Sequence, residues 1–177
     1  MENRWWESRL EEILIPEDQI QRKVSELAAR ITADYRDICP VVIGVMRGAG
    51  IFHSDLIRRI GLNLTIDYIS VSSYGNDTRS SGEVQLVKDL KMAVEGEHLI
   101  LVEDIVDTGL TLSFLVRLLA ARNPASLKVC SLLSKPECRK IEVEIDYLGF
   151  EIPDRFVVGY GLDYQQKYRN LPFLAVL

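Results

Sequence analysis

Three carboxylates fall within five positions in the stretch Leu99-Ile-Leu-Val-Glu103-Asp104-Ile-Val-Asp107-Thr108-Gly109-Leu110-Thr111-Leu112. Ionised carboxylates are pure acceptors, suited to the hydroxyls of a sugar or to a hard cation. The Thr-Gly-Leu-Thr segment after them brings two hydroxyls and a glycine to the start of a helical pattern. Backbone N–H groups at such a turn hold phosphate. A sugar phosphate needs both features side by side.

A second turn of small residues, Gly44-Val45-Met46-Arg47-Gly48-Ala49-Gly50, also follows an apolar run. Its glycines let backbone approach a ligand closely, and Arg47 offers donors to anionic oxygens. Lys135 ends another apolar run. His53 and His98 are not spaced as metal ligands and read as structural. Cys39, Cys130 and Cys138 match no metal-binding spacing; Cys39 and Cys130 read as small hydrophobes.

These groups need elements to position them. Pro16 with Glu17 and Asp18 reads as a helix start, followed by Ile20, Val24, Leu27, Ala28, Ile31 and Tyr35 at helical spacing. Residues 40–45 form a short buried strand, 51–60 a helix and 64–71 a strand. A polar loop over 72–83 and an extended piece over 84–90 make a long hairpin arm. Residues 98–102 form a strand that ends at the carboxylates, with a helix over 111–122 and a strand over 127–133. After Tyr147 come extended pieces around 155–160 and at the C-terminus. Such alternation implies an α/β fold, a mostly parallel central sheet flanked by helices. Ligands collect at the carboxyl ends of its strands, which places residues 46–48, 103–111 and 135 on one rim.

The 177 residues fit a single domain, and 47% apolar with 27% charged residues is ordinary for a globular chain. A net charge of −5 argues against nucleic acid or an anionic membrane as partner. No run is long and apolar enough to span a bilayer, and the first residues lack the apolar core of a signal peptide. Free cysteines point to a reducing cytoplasm. Trp5 and Trp6 pack on the domain or at a subunit contact, and Arg58 and Arg59 sit at a helix C-terminus, where positive charge suits the macrodipole.

Two segments carry a resemblance: Val-Glu103-Asp104-Ile-Val-Asp107-Thr108-Gly109-Leu110-Thr111, and Gly149-Phe-Glu-Ile-Pro-Asp154-Arg-Phe156-Val157-Val-Gly-Tyr-Gly-Leu-Asp163-Tyr164. With the stretch from about Val41 onward, they resemble the hypoxanthine (hypoxanthine-guanine) phosphoribosyltransferases in their short bacterial form. The resemblance implies the type I phosphoribosyltransferase fold: one domain over 1–177, its core at about 36–135, a small hood from the N- and C-terminal segments, and a flexible hairpin loop. It implies a cytoplasmic, Mg2+-dependent purine-salvage enzyme, a homodimer or homotetramer. That enzyme moves the 5-phosphoribosyl group from phosphoribosyl pyrophosphate to N9 of hypoxanthine, and of guanine, giving IMP or GMP and pyrophosphate.

Roles follow from the same resemblance. Glu103 and Asp104 hold the ribose hydroxyls directly or through magnesium. Residues 107–111, with Thr108, Gly109, Leu110 and Thr111, wrap the 5′-phosphate; the Leu110 side chain points away from it. Asp107 is the general base toward purine N7. Arg47, Gly48 and Arg169 bind pyrophosphate, and the Met46–Arg47 peptide can be cis. Lys135 donates to the 6-oxo group, Phe156 stacks on the ring and the Val157 backbone reads its edge. Asp163 is a ligand for a second magnesium, and Ser73 and Tyr74 belong to a closing flap. Two rivals remain: a phosphoribosyl-pyrophosphate-sensing regulator of the same fold that binds nucleic acid, and a sibling enzyme preferring guanine or xanthine.

Overall fold

Two strands apolar on both faces form the middle of the molecule. The computed structural model describes Trp6, residues 8–73 and residues 84–177. Its first half contains β1 (Glu12–Ile15), α1 (Glu17–Asp34), β2 (Val41–Met46), α2 (Gly50–Ile57), β3 (Thr65–Ser73) and β4 (Val84–Lys88). After these come β5 (His98–Val106), α3 (Leu110–Ala120), β6 (Ser126–Ser134), a 3-10 turn (Pro136–Cys138), β7 (Tyr147–Glu151), β8 (Val157–Val158) and β9 (Leu174–Val176).

The main sheet has six strands in the order β4-β3-β2-β5-β6-β7, parallel except for the β3–β4 pair. Successive residues of β2 and β5 face opposite layers, as the pleat requires. Val42, Ile100 and Val102 pack with Ile20, Val24, Leu27 and Ile31 of α1 and with Phe52 and Leu56 of α2. Val41, Ile43, Leu99 and Leu101 pack with Leu112, Leu115 and Leu119 of α3. Both faces are therefore covered, which is why these strands read as continuous apolar runs.

A second sheet of three strands, order β1-β9-β8, joins the N-terminal strand to the C-terminal ones. Below it Val158, Tyr168, Leu171 and Phe173 cluster with Trp6, whose ring meets Phe173 edge-on at 4.9 Å. Trp6 thus packs on the domain; Trp5 lies outside the described residues. Tyr160 donates to Asp55 of α2 at 2.6 Å, tying the two parts together.

The expected elements appear with shifted ends. Helix α2 stops at Ile57 rather than residue 60, and Arg58 and Arg59 both pair with Asp55 one turn back. Strand β5 does not end at the carboxylates: it runs on to Val106, because β6 pairs with it as far as Val106↔Ser134. Glu103 and Asp104 are strand residues, and only Asp107 to Gly109 form the turn. The extended piece at 84–88 pairs antiparallel with β3, as a hairpin arm should. Tyr74 to Glu83 lie outside the described residues.

His53 is structural. It is wholly buried beside Gly44 and Tyr68, and Nε2 lies 3.2 Å from the Val42 carbonyl oxygen. Burial lowers its pKa below the ordinary 6.5, so the ring is neutral, with Nε2–H donating. As pH falls through 6.5 the unfolded chain takes up a proton that the fold resists, and stability drops with a slope of up to ~1.4 kcal/mol per pH unit. Urea midpoints at pH 7.5 and 5 should therefore fall less in His53→Leu than in the unmodified protein.

Candidate active site

The ends of β2 and β5 meet where strand order reverses, since the chain steps from β2 outward to β3 and returns to β5 on the other side. A crevice opens at such a switch point. A cavity of about 240 Å³ lies there, lined by Glu103, Asp104, Asp107, Thr108, Gly109 and Thr111 among others. Leu110 is not among its lining residues, as expected of a side chain pointing away.

The two strand carboxylates are nearly removed from water, at 9% and 8% exposure. Burial pushes both upward, and the Asp104 charge adds to the rise at Glu103, which stands well above its ordinary value. Asp104 Oδ1 accepts from the Ile105 N–H at 2.7 Å, whereas Glu103 Oε2 has no hydrogen-bond partner. A buried acceptor without a donor is costly in an isolated fold and fits a ligand hydroxyl or a hard cation.

The turn from Asp107 to Gly109 is held from behind. Gly109 has φ +83°, which favours glycine, and a Cβ there would come within 2.2 Å of the Ile141 carbonyl oxygen. The Lys140 and Ile141 N–H groups both donate to the Thr108 carbonyl, at 2.9 and 3.1 Å, and the Lys135 N–H donates to Val106. The segment after β6 is therefore a brace under the turn. Asp107 is exposed at its lip.

The loop after β2 supplies another wall. Its Met46–Arg47 peptide is cis, as the resemblance suggested. A Cβ at Gly48 would stand 1.7 Å from Asp104 Oδ2, and one at Gly161 would stand 2.1 Å from the Gly48 carbonyl oxygen. Three chain segments thus touch with no space for a side chain. Arg47 donates to Gln166 Oε1 at 3.3 Å, and Arg169 donates to the Gly161 carbonyl at 2.6 Å.

Arg169 also pairs with Asp163 Oδ1 at 2.6 Å, while Asp163 Oδ2 accepts from the Gln166 N–H at 2.8 Å. Both Asp163 oxygens are thus engaged. Among the described residues no group of three or more His, Cys, Asp or Glu side chains stands ready for a metal. The donor set at Glu103 and Asp104 still suits Mg2+, which commonly takes one or two carboxylates and completes its shell with phosphate oxygens and water.

Lys135 is buried just beyond β6, with Nζ 3.5 Å from Asp154 Oδ1. Phe156 is 53% exposed, its ring edge-on to Tyr164 at 5.7 Å, so it is not core packing. Val157 opens β8 opposite Val176. Ser73 ends β3, and Tyr74 lies outside the described residues. Two clusters result: Glu103, Asp104, Asp107, Thr108, Gly109 and Thr111 around the cavity, and Arg47, Gly48, Asp163 and Arg169 beside it.

Sequence reasoning missed Gly161, Gln166 and Asp154. Gly161 alone carried a signal, the alternating Gly-Tyr-Gly that marks a backbone crowded by a neighbour.

A mostly parallel sheet with an acidic turn at its switch point is an α/β architecture suited to binding a small anionic ligand, and the chain belongs to the phosphoribosyl transferase domain family, whose model matches residues 15–165. Within that family it falls with the hypoxanthine-guanine phosphoribosyltransferases. It is 52% identical over 168 residues to the Bacillus subtilis hypoxanthine-guanine phosphoribosyltransferase, covering 95% of this chain and 93% of that one. A crystal structure of the hypoxanthine phosphoribosyltransferase of Staphylococcus aureus superposes with a TM-score of 0.95 at 45% identity, over 100% of this chain and 96% of the other. The hypoxanthine-guanine phosphoribosyltransferase of Bacillus anthracis, crystallised with HEPES in its active site, gives 0.91 at 49% identity, over 96% and 99%.

The raised Glu103 carboxyl has a measurable signature. In the folded, ligand-free protein it keeps a proton above the pH at which the unfolded chain loses it, so this contribution is full below 4.5 and is lost as pH rises through the folded value. Glu103→Gln should therefore raise the thermal midpoint at pH 8 relative to the unmodified protein. The gain should shrink as pH falls toward 4.5.

Proposed function

We propose that this chain is a cytoplasmic purine-salvage enzyme that transfers the 5-phosphoribosyl group of phosphoribosyl pyrophosphate to N9 of hypoxanthine and guanine. The observation that carries the reading is the buried Glu103–Asp104 pair, with an acceptor left unpartnered, opening into a cavity walled by the Thr108–Thr111 turn. The curated relatives are named as transferases, and the chain's net charge of −5 suits small-molecule substrates rather than nucleic acid. The nucleic-acid-binding regulator therefore has no observation in its favour.

Glu103 and Asp104 take the ribose hydroxyls and, with Mg2+, the adjoining oxygens. Backbone N–H groups of residues 108–111 hold the 5′-phosphate, with the Thr108 and Thr111 hydroxyls. Arg47, the Gly48 backbone and Arg169 face the pyrophosphate. Asp163 would hold a second Mg2+. Bound Mg2+ supplies Lewis-acid neutralisation of the leaving group.

The base lies on Phe156, its 6-oxo group toward Lys135 and its edge along the Val157 backbone. The bond from the anomeric carbon to pyrophosphate breaks with its electron pair leaving on the pyrophosphate. Purine N9 forms the new bond, and the N7 proton passes to Asp107. The flap that begins at Ser73 and Tyr74 keeps water from the anomeric carbon. Free Cys39, Cys130 and Cys138 support a reducing compartment. No described helix is long and apolar enough to cross a membrane.

The three-stranded sheet from the two chain ends supports a division into core and hood within one domain. Exposed Ile66 on β3 and Val87 on β4 support a homodimer or homotetramer.

Steady-state kinetics with Mg2+ and phosphoribosyl pyrophosphate should show pyrophosphate release with hypoxanthine and guanine, and far less with adenine. Release with xanthine or guanine alone would move the reading to the sibling enzyme. Asp107→Asn should lower kcat by roughly 10²–10⁴-fold while changing the KM for phosphoribosyl pyrophosphate little. Unchanged kcat would remove Asp107 from the base role.

A further inference from the structure

Lys135 is 7% exposed, and a buried ammonium needs a partner. Among the described residues its side-chain partner is Asp154, two positions before Phe156. The Asp154 side chain is 64% exposed, and an ion pair with one end in solvent adds little to fold stability. Fold stability therefore does not explain why a carboxylate meets this lysine.

Backbone fixes where the pair stands. The Lys135 N–H donates to the Val106 carbonyl at 2.9 Å, one residue before Asp107, and the Cys138 N–H donates to the Lys135 carbonyl at 3.2 Å. The Ile152 N–H donates to the Ser134 carbonyl at 2.9 Å, so the segment that carries Asp154 is anchored to the strand end that carries Lys135.

The substrate has the matching layout. In a 6-oxopurine, O6 and N7 sit side by side on one edge of the base. A donor toward O6 and an acceptor from N7–H must stand equally close together, and their spacing decides whether both engage. Lys135 has three N–H donors, so it can hold Asp154 with one and meet O6 with another.

We propose that Asp154 is the positioning residue for Lys135, holding its ammonium where it meets O6 beside the N7–H that Asp107 accepts. This rests on the reading of Lys135 and Asp107 given under the proposed function.

The test compares Asp154→Asn and Asp154→Glu with the unmodified enzyme, each first shown to keep its thermal midpoint within a few degrees. Asp154→Asn should raise the KM for hypoxanthine about tenfold, the scale of one charge-assisted hydrogen bond, with the KM for phosphoribosyl pyrophosphate held. Asp154→Glu should recover most of it. In a Lys135→Met background Asp154→Asn should add nothing further.

An unchanged hypoxanthine KM in Asp154→Asn, or a full tenfold loss added to Lys135→Met, would overturn the positioning role while phosphoribosyl transfer by the unmodified enzyme left the function standing. No transfer by the unmodified enzyme at all would overturn the functional reading, and this inference with it.

Discussion

The structure depends on one place where nothing will fit. Asp104, Gly48 and Gly161 come from the end of β5, the loop after β2 and the segment after β8, and they meet with no room for a Cβ at either glycine. That contact sets the distance between the carboxylates and the Arg47 loop. It also draws in Asp163 and Arg169, since Arg169 donates to the carbonyl of Gly161 itself. Three stretches far apart in sequence thereby become one wall. Displacing any of them moves the other two.

The carboxylates beside that contact carry an electrostatic load. Asp104 is nearly closed off from water, and among the described residues no group donates to Glu103 Oε2. Two carboxyls in such a position resist ionising together. The fold tolerates this because the brace of residues 135–141 fixes the turn through the Thr108 and Val106 carbonyls rather than through the acids. Rigidity comes from the backbone behind the turn, and the side chains in front remain available.

Periodicity and composition made much of this visible in advance. The apolar spacing of α1 and the doubly apolar runs of β2, β5 and β6 follow from burial on one stripe or on both faces. The acidic turn was recognisable from residue types alone. The end of β5 was not, because a polar Glu-Asp pair looks like the end of a buried strand, and only pairing with β6 carries the ladder four residues further. β1 is four residues long and mostly exposed, too short for a pattern, and it is a strand only because β9 lies beside it. Asp154 and Gln166 were invisible for a different reason. Each gains its meaning from a neighbour brought close by tertiary folding, and no local spacing announces that.

The placement of β9 between β1 and β8 has a consequence for how the molecule is made. The six-stranded sheet closes through neighbours that follow each other closely along the chain, whereas Glu12 must wait for Val176. Loop closure over nearly the whole chain is entropically the most demanding step in the topology. On a ribosome, β9, which both β1 and β8 require, emerges after both of them. The crevice at the ends of β2 and β5 can thus take shape before the three-stranded sheet beside it.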